Sequence, residues 1–436
     1  MEVDGFVFVN GNEQGRKNDT PPVSDRILSE VDAFVERLRD TLWPLNRFLH
    51  ENPELAFEEY KAHDALTKFM RSQEGWKITP SAYGMDTAWV ATYESGRTGP
   101  VVSFNAEMDA LPNLGHACGH NLIATAAVAA SLATAEIMKR HNLPGKILLF
   151  GTPGEEGTGG GKIRLLEAGA YRNVDISLIS HPGILNNSPF VRTTAFARLE
   201  IEYFGHAAHA ANSPWLGINA LDALVIAYNA ISTLRQQTMP SDVIGISITN
   251  GGAAPNIIHA YAAGVVVIRA ASSHRLKQLQ EKVQSCIRAG AVATGAREGI
   301  KVIQGYADHV PNRVLARSYA KYWNLLPDIP GPSIPPEGQV TWVKASTDQG
   351  NISYVLPSVN ASFAIPPGPN RGQPHSPEFE KISGSKNAFD RALRVGKVLA
   401  GTALDVLRKP GFLDDVKSQW RRDMEEIESQ TAAGLI

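Results

Sequence analysis

The sequence predicts an α/β protein in which a mixed, largely parallel sheet lies between helices and a smaller α+β domain is inserted. Three observations indicate this fold class. The chain has 436 residues, more than one ordinary domain needs. Strand-like and helix-like segments alternate between residues 87 and 183, as in parallel sheets that are covered on both faces. Near residue 191 the order changes to one strand, a helix, two strands and a helix.

The first part of the chain supplies most of the predicted sheet. Residues 1–23 are polar, which indicates a flexible leader, and Ser24 is the expected N-cap of a long helix with apolar residues at helical spacing. Short apolar segments with β-branched or aromatic residues predict strands at 87–94, 100–107, 145–153 and 174–183. Residues 121–141 and 160–171 have the length and composition of helices.

The second part predicts a small domain at residues 191–310. Its expected elements are a strand at 193–205, a helix at 217–237, strands at 243–252 and 260–271, a helix at 273–295 and a strand at 300–307. This order is ferredoxin-like. Residues 24–190 and 311–436 would then form the larger domain, and after residue 310 we expect helix and loop that end in two helices.

Composition excludes several function classes. Hydrophobic residues make up 43% and charged residues 20%, as in globular proteins, and the net charge of −2 without a basic run argues against nucleic acid. We expect no membrane contact, because no apolar run has spanning length and the first residues lack a signal-peptide pattern. Cys118 and Cys286 are the only cysteines, too few for a disulfide framework, so a cytoplasmic location is expected.

Residues that could carry chemistry follow the predicted strands in four short segments. These are Glu107 and Asp109 in NAEMDALP, His116, Cys118 and His120 in GHACGHN, Glu155 and Glu156 in TPGEEGTGGG, and His181 in SHPG. Sites in open α/β sheets form beyond the carboxyl ends of the strands. Thiolate, imidazole and carboxylate together suit a divalent transition metal, Zn²⁺ first, with Mn²⁺ or Co²⁺ as alternatives.

Spacing within these segments indicates amide hydrolysis. Cys118 and His120 are two residues apart before a helix, so both can face one point. The adjacent Glu155 and Glu156 cannot easily point the same way, so one can bind a metal while the other reaches a water that the metal acidifies. A carboxylate in that place can accept the proton of the water and later pass it to a departing amine.

Each segment could also have an ordinary structural role. Cys118 alone could be a small buried hydrophobe, or a nucleophile activated by histidine, which the nearby acidic residues disfavour. His181 could be a core or surface histidine, and the two glutamates could lie in a solvated loop. GTGGGK is not a phosphate-binding loop, because Ile163 follows Lys162 where Ser or Thr is required. The occurrence of all four segments at successive strand ends favours the metal site.

Seven motifs in order give the chain a resemblance to a known family. They are AEMDALPNLGHACGHN, GTPGEEGTGGGK, SHPG, GHAAHAANSPWLGINALDA, GGAAPNII, STDQGNISYVLPS and HSPEF. From about residue 45 to 400 the sequence resembles the M20 metallopeptidases, in their amidohydrolase and aminoacylase branch, which includes Xaa-Arg and β-alanyl-lysine dipeptidases. The resemblance implies a zinc-peptidase-like catalytic domain, a lid and dimerisation domain at 191–310, and a homodimer.

The resemblance also implies roles in the catalytic domain. The implied metal ligands, for one or two ions per chain, are Cys118, His120, Glu156, His181 and His375. Cys118 takes the bridging place that many relatives give to aspartate. Glu155 would be the general base, and Asp109 would orient a ligand. Glu107 stands where many relatives have Asp or a histidine ligand, and it is left out of the predicted ligands.

Three residues of the inserted domain receive roles in the same way. His209 would stabilise the oxyanion, often across the dimer, and Asn256 and Arg269 would hold the substrate carboxylate or shape its pocket. The implied activity is metal-dependent cleavage of the amide bond of a dipeptide or an N-acyl amino acid. Two alternatives stay open: a biosynthetic enzyme that hydrolyses or forms one particular amide, and a non-catalytic metal-binding scaffold, against which Glu155 argues.

Overall fold

Residues 23–432, apart from 158, 186, 336 and 337, are described by a computed structural model of the chain. The predicted leader therefore lies outside the described residues, except for its last residue, Val23. The first helix already includes Val23 and continues to Glu51. Ser24 lies inside this helix, so the prediction that Ser24 is its N-cap is wrong, because helical structure begins before that residue.

Helices and strands alternate along most of the chain. Within the described residues the helices are α1 (Val23–Glu51), α2 (Tyr60–Arg71), α3 (His120–His141), α4 (Gly161–Glu167), α5 (Ala220–Leu234), α6 (Ser273–Thr294), α7 (Arg313–Leu325), α8 (Gln349–Ser353), α9 (Pro377–Ser383), α10 (Lys386–Arg408) and α11 (Phe412–Ala432). The strands are β1 (Trp76–Thr79), β2 (Trp89–Glu94), β3 (Val101–Glu107), β4 (Lys146–Thr152), β5 (Ile176–Gly183), β6 (Val191–Thr193), β7 (Ala195–Phe204), β8 (Ala208–His209), β9 (Val243–Asn250), β10 (Ile257–Ile258), β11 (Tyr261–Ala270), β12 (Arg297–Tyr306), β13 (Thr341–Val343) and β14 (Ser358–Ala364).

The larger sheet has six strands in the order β1-β2-β4-β3-β5-β14. Strands β3, β4, β5 and β14 are parallel to their neighbours in this group, and β1 and β2 extend the sheet in antiparallel pairing. Side chains alternate between two cores: in β4, Ile147 and Leu149 pack on one face, and Leu148 and Phe150 on the other. The predicted mixed, largely parallel sheet between helices is confirmed.

Helix α3 lies at the centre of the larger core. Eighteen of its 22 residues are buried, many of them alanines, because the helix is apolar on all sides and packs against β3, α1 and α10. Its length and mean hydropathy of 1.5 would suit a membrane span, and it is the one described helix that meets those criteria. However, 94% of the 18-residue stretch with that hydropathy is buried inside the fold, as is expected of a core helix.

The segment after residue 310 contains strands that were not predicted from the sequence. Helix and loop were expected there, but β14 pairs in parallel with β5 over seven residues, from Ser358 with Ser177 to Ala364 with Gly183, and β13 pairs with β6. The sequence of β14, SVNASFA, is rich in small and polar residues, so it lacks the apolar run of a buried strand. Its pairing is decided by contact with β5 rather than by local preference.

The inserted segment forms a second, antiparallel sheet with the order β12-β7-β11-β9. Helices α5 and α6 pack on this sheet, and the core between them includes Leu199, Ile201, Leu224, Val266 and Leu279. Ser272 caps α6, since its side chain accepts a hydrogen bond from the Arg275 N–H. The chain order of strand, helix, two strands, helix and strand is the ferredoxin-like order, which confirms the predicted α+β fold of this segment.

Candidate metal centre and catalytic site

The candidate site lies at the carboxyl edge of the larger sheet. Glu107 is the last residue of β3, Glu155 follows the end of β4 by three residues, and His181 lies near the end of β5. Cys118 and His120 flank the start of α3, whose loop begins after β3. Because β3, β4 and β5 are parallel, their carboxyl ends meet at one edge, and the candidate residues from four segments converge there.

A glycine lets the Cys118–His120 loop approach the end of β5. Gly119 has a φ of 79°, in the left-handed region, and a Cβ at this position would lie 2.6 Å from Cγ of Pro182. Any other residue would be strained and would push the two segments apart. Cys118, His120 and Glu156 consequently offer ligand atoms that lie within 4.8 Å of one another.

Asp109 connects two of these ligand candidates. Its Oδ1 lies 3.1 Å from Nδ1 of His120, and its Oδ2 accepts a hydrogen bond of 2.7 Å from the backbone N–H of Glu156. A proton on Nδ1 leaves the lone pair of His120 on Nε2, which faces the cluster. This geometry supports the predicted orienting role of Asp109.

His181 is oriented in the same way by Asn360 of β14. The Nδ1 of His181 lies 2.8 Å from the amide oxygen of Asn360, so Nδ1–H can donate and Nε2 keeps its lone pair. That Nε2 lies 3.2 Å from Oε2 of Glu107, and Nε2 of His120 lies 3.2 Å from the same oxygen. Glu107, His120 and His181 therefore form a second group of possible ligands, adjacent to the first.

His375 reaches the cluster from a loop more than 200 residues further along the chain. Its Nε2 lies 3.0 Å from Oε1 of Glu156, and its backbone N–H donates to the carbonyl of Ala117, next to Cys118. Its φ of 69° is a left-handed conformation that a residue with a Cβ rarely adopts. Such strained conformations concentrate at functional sites, where the surrounding structure holds them. The structure thus brings all five predicted metal ligands together.

Glu155 faces a different group from its neighbour Glu156. Its carboxylate lies with those of Glu107 and Asp348, and its Oε2 is 3.9 Å from Nε2 of His120. Burial, together with the negative charges of these neighbours and of Glu156, raises the pKa of Glu155 well above its ordinary value. A carboxylate in this position can both accept and return a proton, as a general base requires.

The arrangement does not favour a nucleophilic cysteine. Burial raises the pKa of the Cys118 thiol, and the carboxylates of Glu155 and Glu156 act in the same direction. A reactive cysteine needs the opposite shift, toward a stable thiolate. His116, the first histidine of the same segment, stacks on His50 with ring centroids 6.3 Å apart. Burial lowers the pKa of His116 to about 3, so it is neutral, and His116 belongs to none of the three groups of possible metal ligands.

Four residues that support the site were not predicted from the sequence: Glu59, Lys162, Asp348 and Asn360. Lys162 is completely buried and donates through Nζ to Glu107 and to Asp348. In the sequence, Lys162 stands out only as the end of the glycine-rich GTGGGK segment. Asp348 lies in STDQGNISYVLPS, one of the motifs that carry the family resemblance, but no role was predicted for it. A lysine among apolar and glycine residues was the signal that could have identified this pair.

Glu59, at the start of α2, holds the loop that carries Glu155 and Glu156. Its Oε1 accepts hydrogen bonds from the N–H groups of Phe57 and Gly154, and its Oε2 accepts one from the Thr87 hydroxyl. The side chain is fully buried. Burial, and then the charge of Asp109, raises the pKa of Glu59 from 4.5 to about 7. The native state therefore binds this proton more tightly than the unfolded chain.

Substitution of Glu59 by Gln should change the pH dependence of stability. Because the native pKa is the higher one, the contribution of Glu59 is complete below pH 4.5 and is lost as the pH rises through about 7. Glu59→Gln does not ionise, so its free energy of unfolding relative to wild type should rise between pH 5 and 8, by up to about 3 kcal/mol. Urea unfolding at both pH values measures the difference.

The matched control is Glu54→Gln. Glu54 is a partly exposed carboxylate near the start of the same helix, and it accepts the N–H groups of Lys61 and Ala62. Glu54→Gln tests whether the loss of any carboxylate that accepts backbone N–H groups changes the pH dependence of the free energy of unfolding in the same way. A constant difference between Glu59→Gln and wild type across this pH range would show that Glu59 is ionised in the native state at pH 5.

The donor set fits a bound divalent metal. Oε2 of Glu107, Nε2 of His120 and Oε1 of Glu156 are buried and make no hydrogen bond with any described residue. Buried polar atoms without partners are rare, since each costs about 1–3 kcal/mol. These three atoms belong to the two adjacent ligand groups, and a cation between them would satisfy all three. Thiolate, imidazole and carboxylate are the ligands expected for Zn²⁺ and similar ions.

The three predicted residues of the inserted segment have hydrogen-bond partners outside this cluster. His209 is exposed, and its Nδ1 accepts the N–H groups of Ala211 and Asn212. Asn256 lies beside it, because the Asn256 carbonyl accepts the N–H of Ala210 and β8 pairs with β10. Arg269, in β11, donates to Ser346 and stacks on Phe196. Within the described residues, none of the three shares a hydrogen bond or ion pair with the metal-ligand candidates.

Comparison with known proteins gives the relatives of this chain. Residues 192–294 match the peptidase dimerisation domain of the M20 type. The chain is 38% identical over 413 residues to the Xaa-Arg dipeptidase of Mus musculus, covering 92% of this chain and 93% of that protein. It is 37% identical over 441 residues to the Xaa-Arg dipeptidase of Homo sapiens, with 98% of each covered.

Solved structures share the fold at lower identity. One is a putative aminohydrolase from methicillin-resistant Staphylococcus aureus, with a TM-score of 0.69, 18% identity and coverage of 87% of this chain and all of that chain. Another is a dinuclear metal-binding peptidase of the M20 family from Bacillus subtilis, with a TM-score of 0.61, 20% identity and coverage of 86% and 99%. The sequence similarity over nearly the whole length establishes that this chain belongs to the M20 family of metallopeptidases.

Proposed function

We propose that the protein is a metal-dependent amidohydrolase that cleaves the amide bond of a dipeptide or an N-acyl amino acid. The observation that carries this proposal is the buried Glu155 carboxylate beside the cluster of five ligand candidates. The Xaa-Arg dipeptidase relatives support dipeptides with a basic second residue as the first substrates to test. The chemistry of the site would act on any amide that the surrounding pocket admits.

Charge favours two ions in the site. Five buried or nearly buried carboxylates lie together there, those of Glu107, Asp109, Glu155, Glu156 and Asp348. Among the described residues of this cluster, Lys162 is the one lysine or arginine. Uncompensated buried charge is strongly unfavourable, and two divalent ions would offset most of it. One ion would be held by Cys118, Glu156 and His375, and a second by His120 and His181, with Cys118 available to both.

The residues of this chain then have separate roles in the reaction. Divalent metal supplies a Lewis acid that polarises the substrate carbonyl and makes water more acidic. Glu155 accepts the proton of the attacking water and donates it to the departing nitrogen, so that no net proton is consumed at the carboxylate. Asp109 and Asn360 fix the rings of His120 and His181 through their Nδ1 atoms, and Glu59 fixes the loop of Glu155 through the Gly154 N–H.

The inserted segment supplies the contacts to substrate and a second subunit. We propose a homodimer through this segment, since β9 is an edge strand with exposed Val243 and Ile248, and α5 exposes Val225 and Tyr228. An exposed apolar sheet edge of this kind is typical of an interface. In His209, Nδ1 accepts hydrogen bonds, which leaves the proton on Nε2 as a donor for an oxyanion.

The remaining assignments concern Asn256, Arg269 and the limits of the domains. Asn256 would bind the substrate carboxylate beside His209, and Arg269 would shape the pocket through its contact with Ser346. We place the lid and dimerisation domain at residues 191–310 and the catalytic domain at residues 24–190 and 311–436, because each part has its own sheet and core. A cytoplasmic location suits the free thiols of Cys118 and Cys286.

A panel of substrates tests the proposal. The purified protein, supplied with Zn²⁺ or Mn²⁺, is incubated with dipeptides and N-acyl amino acids whose second residue is basic, acidic or apolar, and mass spectrometry follows the products. We expect cleavage at one amide bond by the wild type, and cleavage about 10²–10⁴-fold slower by Glu155→Gln. Absence of cleavage across the whole panel, with metal bound, would contradict the proposed function.

A further inference from the structure

Glu107 occupies a position that an ordinary structural role does not account for. The side chain is completely buried at the end of β3. Its Oε1 accepts a hydrogen bond of 2.6 Å from Nζ of Lys162. Its Oε2 lies 3.2 Å from Nε2 of His120 and 3.2 Å from Nε2 of His181, yet it makes no hydrogen bond with a described residue. Oε1 is thus held by the hydrogen bond from Lys162, and Oε2 faces the two imidazole rings.

In both rings, His120 and His181, the Nδ1 atom faces a hydrogen-bond acceptor other than Glu107. Nδ1 of His120 lies 3.1 Å from a carboxylate oxygen of Asp109, and Nδ1 of His181 lies 2.8 Å from the amide oxygen of Asn360. If each Nδ1 carries the proton that these acceptors require, each Nε2 presents a lone pair. Three lone pairs then converge from Glu107, His120 and His181. This arrangement is repulsive by itself and becomes favourable around a cation.

Lys162 and Asp348 determine which oxygen of Glu107 faces the rings. Nζ of Lys162 also donates to Oδ1 of Asp348, and the backbone N–H of Lys162 donates to Oδ2 of Asp348 at 2.8 Å. All three side chains are completely buried, so none can turn toward solvent. The ammonium offsets one of the two carboxylates, and the group of three keeps a net negative charge. That charge lies where the two rings converge.

We propose that Glu107 is a sixth protein ligand, which binds a divalent ion together with His120 and His181, and that Lys162 and Asp348 are positioning residues for its carboxylate. This inference rests on the metal site of the proposed function. It corrects the expectation that Glu107 stands outside the ligand set. It also gives the second ion an anionic ligand that it does not share with the ion at Cys118 and Glu156.

Substitution of Glu107 by Gln tests the ligand. The amide can accept from Lys162 only by turning its NH₂ group toward the rings, where it cannot bind a cation. Chelated protein is titrated with Co²⁺ and followed by calorimetry and absorption. We expect wild type to bind two ions per chain and Glu107→Gln to bind the second more weakly, by about 100-fold or more. The thiolate-to-cobalt absorption of the Cys118 position should remain.

Asp405→Asn is the matched control, because Asp405 is also a buried carboxylate that accepts a hydrogen bond from a lysine, Lys409, but none of its hydrogen-bond partners is a ligand candidate. It should bind both ions like wild type. Two outcomes would overturn the proposal: binding of both ions by Glu107→Gln with wild-type affinity, or binding of a single ion by wild type. Neither measurement uses a substrate. If wild type binds two ions and Glu107→Gln loses the second, the ligand role of Glu107 holds. If that wild type nevertheless cleaves no amide, only the proposed function is wrong.

Asp348→Asn separates positioning from general support of the fold. It leaves Lys162 and Glu107 paired but removes the carboxylate that holds the ammonium. We expect the second ion to bind about 10–100-fold more weakly, the effect typical of residues that orient a ligand, with the first ion unchanged. Equal weakening of both ions, or a lower melting temperature without any change in metal affinity, would contradict the positioning role.

Discussion

Glu155→Gln is expected to keep its metal and to lose amide hydrolysis by about 10²–10⁴-fold. Gln has the same shape, but it cannot accept a proton from water or return one to the departing nitrogen. The loop should remain in place, because its anchors do not involve the Glu155 carboxylate: Glu59 accepts the Gly154 N–H, and the Tyr306 hydroxyl donates to the Glu155 carbonyl. Steady-state rates and metal content per chain are measured on the same preparation.

Glu156→Gln provides the comparison for this result. Glu156 is adjacent in sequence, but it faces Cys118 and His375 rather than Glu107 and Asp348. Its substitution should reduce metal content as well as turnover. If Glu155→Gln loses as much metal as Glu156→Gln, the division of roles between the two glutamates is wrong, and Glu155 is a ligand rather than the base.

The fold class could be predicted because its signals are local. Strands β3, β4 and β5 are buried on both faces, so each has an apolar run that is visible in the sequence, and the strands of the inserted segment alternate in burial, as in β7. Strand β14 has no such signal. It becomes a strand because β5 offers a parallel edge about 180 residues earlier in the chain, and single-sequence patterns contain no information about that pairing.

Some residues of the candidate site could likewise be predicted from the sequence, and others could not. Residue types alone indicate Cys118, His120 and one of the adjacent Glu155 and Glu156, because thiolate, imidazole and carboxylate are the ligands expected for Zn²⁺; the family resemblance assigns the ligand role to Glu156. The supporting residues act across long separations: Lys162 and Asp348 are 186 residues apart, and His181 and Asn360 are 179 apart. A lysine, an aspartate and an asparagine are common residues, and each acquires its role only through the partner that the fold places beside it.

His209 is expected to act on the site of the partner subunit, and mixed dimers can show it. His209→Ala alone should lower turnover by about 10²–10³-fold without loss of metal, because it removes an oxyanion donor and no ligand. A mixed dimer is then made from His209→Ala and Glu155→Gln chains that carry different affinity tags. If His209 acts across the dimer, one site contains both an intact Glu155 and an intact His209. That dimer should recover about half the wild-type activity, since one of two symmetric sites is complete.

The surroundings of His209 within one chain are the reason to expect that the mixed dimer recovers activity. His209 is exposed, and its described hydrogen bonds are with its own loop, so the Nε2–H donor has no partner among the described residues of the chain. If a second subunit binds through β9 and α5, the Nε2–H donor of His209 would reach the active site of that subunit. A mixed dimer of Glu155→Gln and Glu156→Gln is the control, because both defects lie in the catalytic part and neither site becomes complete. Recovery in the first dimer but not in the control requires that His209 crosses the interface, whereas no recovery in either dimer places His209 at the site of its own chain.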